Sequence, residues 1–192
     1  MPAVNGLIIW LKWTEGFSVR NAEEKQERAD RKGERPRFLV DGMLGSLARK
    51  LRIYGYDTLY LKSEDDQKLL EECTKQSRIL LTSDKRLAEQ SRKSSVSCIF
   101  VTGKNDLERL CQVFGKLGIK PRLNSADSRC PNCNGTLGVK PRHEVHDYVA
   151  QKSLERYDVF YFCAFCGKAY WEGSHWSKLE SLDSHLRECL GN

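Results

Sequence analysis

Between Phe38 and Leu117 the chain alternates short apolar runs with segments whose apolar residues recur at helical spacing, and this alternation limits its fold more than any other feature of its 192 residues. Phe38-Leu39-Val40 predicts a strand, and Leu44, Leu47, Ala48, Leu51 and Tyr54 predict a helix with Arg49, Lys50 and Arg52 off its apolar face and Gly55 at its end. A second strand is expected over Thr58 to Leu61 and a helix from about Asp65 to Gln76. A strand from Ile79 to Thr82, a helix from about Lys85 to Arg92 and a strand from Cys98 to Val101 follow. The last helix carries Leu107, Leu110, Cys111, Phe114 and Leu117, with Asn105 and Glu108 spaced as an N-cap signature. Four β-α units in a row predict an α/β fold, a three-layer parallel sheet.

A second, smaller unit follows the polar connector Pro121 to Ser128. It contains two C-x2-C knuckles, Cys130/Cys133 and Cys163/Cys166, each with a glycine at or just after the next position. Four thiolates close a tetrahedral Zn2+ site and leave no open position, so the expected zinc is structural. Cys73, Cys98, Cys111 and Cys189 are read as thiols without a role. His143 and His146, between the knuckles, are expected as loop residues rather than ligands. The surrounding aromatics are expected mostly to pack the ribbon onto the first unit rather than to stack bases, with His175 and Trp176 as an exposed pair. The apolar run Leu7 to Leu11 is too short to span a membrane and lacks a signal-peptide cleavage site, so the expected location is intracellular, cytoplasmic or nuclear.

Charge separates the two units. Phe38 to Ser125 holds 16 Lys and Arg against 11 Asp and Glu, whereas Ala126 to Asn192 holds 8 against 9. The positive excess of the first unit suggests a polyanionic partner such as RNA. Its acids, in turn, follow the strands. Asp41 ends the first, Asp65 and Asp66 come after the second, and Asp84 after the third, so all are expected at the carboxyl edge of the sheet. Carboxylates gathered at one edge repel unless a cation or protons compensate them, and oxygen-only ligands suit Mg2+ or Mn2+. Asp41 and Asp84 are the expected ligands of that ion, with Arg49, Lys50, Lys85 and Arg86 on the nucleic-acid backbone. Against this, Ser63 and Asp66 fit a capping box and an acid in a first helical turn is often only a cap. Asp106, beside the N-cap after the fourth strand, is a possible accessory ligand.

The segments FLVDGMLGSLARKLRIYGYD, EDDQKLL, RILLTSDKRL, CPNCNG and YDVFYFCAFCGKAYWEGSHW together resemble the Mut-seven C-terminal RNase domain family, a PIN-like nuclease domain fused to a zinc ribbon, from about Arg37 to Leu179. The resemblance implies a PIN-like, metal-dependent ribonuclease whose acids match here as Asp41, Asp65 or Asp66, and Asp84. RNA-binding residues expected on this reading are Arg49, Lys50, Lys85, Arg86, His175 and Trp176, and a ribonucleoprotein partner is possible. The alternative is a non-catalytic RNA-binding or ribonucleoprotein-assembly module using the same basic surface. The expected organisation is an N-terminal extension over 1–36, the nuclease domain over 37–124, the ribbon over 125–180 and a tail over 181–192.

Overall fold

A computed structural model describes residues 35–191, so nearly all of the expected N-terminal extension lies outside the described residues. Four parallel strands, β1 (Phe38–Asp41), β2 (Thr58–Leu61), β3 (Ile79–Thr82) and β4 (Cys98–Phe100), form one sheet in the order β2-β1-β3-β4. Helices α1 (Gly45–Ile53), α2 (Asp66–Gln76), α3 (Lys85–Lys93) and α4 (Asp106–Leu117) follow the strands in turn. Phe38, Leu39 and Val40 are fully buried, the pattern of a parallel strand covered on both faces. Phe38 and Val40 face α1 and α4 through Leu47, Leu51, Val113 and Phe114, whereas Leu39 faces α2 and α3 through Leu69, Leu70 and Leu87. The helix after β1 therefore lies on one face and the helix after β3 on the other. Adjacent strands whose helices diverge in this way leave a crevice at their carboxyl ends.

Caps set where the helices begin. Asp65, not the expected Ser63–Asp66 box, caps α2 by accepting the Lys68 N–H at 2.9 Å. Asn105 caps α4 by accepting the Glu108 N–H at 2.9 Å, as its spacing predicts, and Glu108 returns a bond to the Lys104 N–H at 2.8 Å.

The ribbon is an antiparallel sheet in the order β5-β6-β7, made of β5 (Gly138–Pro141), β6 (Val159–Cys163) and β7 (Lys168–Tyr170), with the short α5 (Gln151–Leu154) between β5 and β6. Its core is Val145, Val149, Leu154 and Phe160, closed by Tyr157, Phe162 and Trp171, so most of the aromatic run packs inside the ribbon itself rather than onto the first unit as expected. Its first knuckle docks on the amino end of β2. Arg52, only 5% exposed, donates from Nε to the Thr58 carbonyl at 2.9 Å and from Nη1 to the Pro131 and Asn132 carbonyls at 2.9 and 3.1 Å. This corrects the expectation that Arg52 lies off the packed face. Asn134 accepts the Thr58 N–H at 2.9 Å and donates to Asp57 at 2.7 Å, and the Arg78 guanidinium grips both Asp57 oxygens at 2.9 and 3.0 Å.

The chain then returns to the first unit. Residues 181–189, expected as a tail, are the second half of α6 (Ser174–Cys189). Leu186 is fully buried in the Phe38 core, and Asp183 accepts the Tyr54 hydroxyl at 3.0 Å and the Arg187 Nε–H at 2.9 Å. Burial and the facing Asp183 carboxylate push the Tyr54 phenol up. Cys111 and Cys189 form a disulfide between α4 and α6, which corrects their reading as roleless thiols. They stand 78 residues apart, and only the return of α6 brings them together.

Burial favours the neutral form of Asp57, but the bonds from Arg78 and Asn134 outweigh it and hold its carboxyl below the usual carboxylate range. A folded-state pKa below the unfolded value gives stability that is full above the unfolded pKa and lost as pH falls through the folded one. Asp57→Ala is therefore expected to cost about 3 kcal/mol near neutral pH, because it strands the buried Arg78. Urea unfolding should show that this cost shrinks as pH falls below about 4.

Candidate active site and metal centre

β1 ends on Asp41 at the crevice between the carboxyl ends of β1 and β3. Asp41 Oδ2 accepts the Thr82 hydroxyl at 2.8 Å, and the Thr82 oxygen accepts the Asp84 N–H at 2.9 Å. A hydroxyl has one proton, and here an amide fills its acceptor side, so that proton points at Asp41. Thr82 is fully buried, which fixes this arrangement. Asp84 Oδ1 accepts the Arg86 and Leu87 N–H groups at 2.7 and 3.2 Å as the cap of α3. Each carboxylate thus has one oxygen held by the protein. Asp41 Oδ1 and Asp84 Oδ2 accept no hydrogen bond among the described residues.

The turn after Asp41 is held tightly. The Gly42 carbonyl accepts the Tyr60 hydroxyl at 2.9 Å, and a Cβ on Gly42 would lie 2.6 Å from the Lys62 carbonyl oxygen. Glycine is needed here for close approach of two backbones. Asp106, in the first turn of α4, accepts the Ser46 hydroxyl at 2.8 Å and faces Lys50 Nζ at 4.0 Å, so it meets the first turn of α1. Asp106 is therefore a more connected acid than its sequence position suggested.

The other expected acids are placed differently. Asp65 and Asp66 line a depression of about 570 Å³ with Leu70, Gln90 and Lys93, so they meet the last turns of α3, whereas Asp84 caps its start. Of the basic residues, Arg49, Lys85 and Arg86 are exposed and Lys50 is half-buried beside Asp106. His175 is exposed at the start of α6. Trp176 donates to Glu180 at 3.1 Å in a groove of about 650 Å³ that also holds Glu172, Glu188 and the Asp183–Arg187 pair, an acidic excess that disfavours a phosphate backbone.

The cysteines form the second centre. Cys130, Cys133, Cys163 and Cys166 are, among the described residues, the one group of three or more His, Cys, Asp or Glu whose ligand atoms all lie within 4.8 Å of one another. Sulfur separations of 3.6 Å (Cys130–Cys166) and 3.5 Å (Cys133–Cys163) come near the edge of about 3.8 Å that a tetrahedron with Zn–S of about 2.3 Å requires. The thiol set therefore fits a metal such as zinc. In both knuckles the residue after the second cysteine is left-handed, Asn134 at φ 70° and Gly167 at φ 68°, so the two turns match although one lacks glycine there. Burial pushes the Cys133 thiol up to about 12. Burial opposes ionisation of Cys166 as well, yet the Lys168 amide and the neighbouring thiols bring it down to about 7.

Two outcomes follow from this geometry. Purified protein is expected to carry one zinc per chain by elemental analysis, and stripping it with a strong chelator should lower Tm, because the first knuckle carries the Asn134 and Arg52 contacts. Thr82→Val is expected to cost about 1–3 kcal/mol in urea unfolding, since it strands the Asp84 N–H and removes the donor to Asp41, whereas Thr82→Ser should cost less.

No curated protein and no solved structure matches the chain significantly. The model of the Mut7-C RNAse domain matches residues 36–182, which takes in the parallel sheet, the crevice acids, the cysteine quartet and the first half of α6. The chain belongs to the Mut7-C RNAse domain family.

Proposed function

We propose that the protein is a metal-dependent ribonuclease that hydrolyses RNA phosphodiester bonds at the β1/β3 crevice. The observation that carries this reading is the Asp41–Thr82–Asp84 arrangement, in which two carboxylates at one crevice each keep an oxygen without a hydrogen bond. An oxygen-only donor set of this kind fits Mg2+ or Mn2+. Such an ion, when bound, makes a water acidic enough to attack phosphorus and stabilises charge on the leaving oxygen. Asp41 and Asp84 would hold it, Thr82 orients Asp41, and Asp106, bonded to Ser46 at the start of α1, would add a third acid. Lys85 and Arg86, at the start of α3 beside Asp84, and Arg49 and Lys50 on α1 would neutralise the RNA backbone. Asp65 and Asp66 have no part in this reading, and the ribbon, docked at the amino end of β2, supports the fold.

A second reading, a non-catalytic RNA-binding module, is favoured by one observation: the acids form no group of three as tight as the cysteine quartet. The test is cleavage of single-stranded and structured RNAs with and without Mn2+, beside Asp41→Asn purified identically and matched for zinc content. Metal-dependent cutting that falls about 10²-fold or more in Asp41→Asn, with RNA affinity retained, is the expected result. Binding by both proteins with cutting by neither would favour the second reading.

A further inference from the structure

Four of the large hydrophobic side chains exposed among the described residues, Val139, Tyr148, Val159 and Phe165, belong to the ribbon. The fifth, Met43, is 75% exposed and is the one on the parallel-sheet unit. It sits two residues past Asp41 on the 3-10 turn Gly42–Leu44.

The turn cannot relax to bury it. Leu44 already fills the core position, the Gly42 carbonyl is bound by Tyr60, and Gly42 and Gly45 leave no room even for a Cβ against Lys62 and the Tyr60 ring. Met43 is thus held in water at the rim of the crevice. Charged rather than apolar residues flank it: exposed Lys62 follows β2 immediately behind Gly42 and exposed Arg49 lies further along α1, while Asp41 stands two residues before it and Lys50 faces Asp106 at 4.0 Å. A ligand complementary to an exposed apolar side chain on a fixed turn, with Lys62 and Arg49 nearby, must offer both anionic groups and an apolar face. A nucleic-acid strand does so at every residue, but only where a base is unstacked, because a duplex hides its base faces. Methionine suits this role, since its thioether is polarisable and favours aromatic rings and its side chain can act as a wedge between bases.

We propose that Met43 is a substrate-contacting residue that packs against an unstacked base next to the scissile phosphate, which would lie at the cation that Asp41 and Asp84 hold. The inference rests on the ribonuclease reading for the position of that phosphate. It makes the site selective for a locally unpaired strand, with Lys62, Arg49 and Lys50 on the flanking phosphates.

The test measures affinity by fluorescence anisotropy, using a labelled single-stranded oligoribonucleotide and a series carrying one abasic nucleotide at successive positions. Asp41→Asn protein is used so that the RNA stays intact, with Met43→Ala and Met43→Leu added to it. Met43→Ala is expected to weaken binding about fivefold or more, with Met43→Leu close to the parent. The loss should vanish on the RNA whose abasic position removes the partner base, and the salt dependence of binding should stay unchanged because no phosphate contact is lost. Equal affinity of Met43→Ala and its parent on every RNA overturns the inference, as does a loss of the same size on every abasic RNA. The two readings fail separately. Coupling between Met43 and one base in a protein whose wild type does not cut sinks the nuclease reading alone. Metal-dependent cutting with no effect of Met43→Ala sinks the base contact alone.

Discussion

β1 is buried on both faces and paired on both edges, and the rest of the molecule is arranged around that strand. A central strand with no water on any side must be apolar for its length, and its first polar residue can appear only where the covering helices part. That residue is Asp41. A carboxylate at the end of such a strand needs donors within reach, and the neighbouring strand supplies one at the matching height, Thr82. The Thr82 oxygen is itself anchored by the amide of Asp84, so the acid of one strand orders the acid of the next. The arrangement of acids at the crevice is in this sense a result of how β1 and β3 end.

The ribbon answers a different need at the other end of the sheet. β2 is an edge strand, and its first N–H would face open space at the edge. Asn134 accepts that N–H, Arg52 takes the Thr58 carbonyl, and Arg78 with Asp57 locks the corner where β1, β2 and β3 begin. Since Thr58 and Leu61 mark the two ends of β2, about 10 Å of strand separates this junction from the level of Asp41. The cysteine quartet and the crevice are therefore joined through the sheet rather than by direct contact.

The order of strands and helices was legible because each segment has the period of its structure, and the cysteine quartet because its spacing has few other meanings. What escaped the sequence is mostly long-range. Arg52 looks like a solvated helix residue until the carbonyls of residues 131 and 132 arrive to bind it. Cys111 and Cys189 look unrelated until α6 folds back. Asp65 and Asp66 carry the right chemistry after the right strand, but Asp65 is committed to the start of α2 and both face Gln90 and Lys93. The partner of Asp106, Ser46, lies 60 residues earlier, so no local spacing pairs them. Trp176 was read for its ring, whereas the carboxylates around it are what decide its neighbours.

The path of α6 changes what counts as a part. The chain builds its parallel sheet, leaves to form the ribbon, and returns to place Leu186 in the first core and Cys189 on Cys111. The ribbon is thus a loop inserted within the larger unit, closed behind itself by a covalent bond, although the order of motifs reads as one domain after another. A cut in the connector would not yield two pieces that each own their residues: the first would lack a wall of its core, and the second would carry a helix whose apolar side belongs elsewhere.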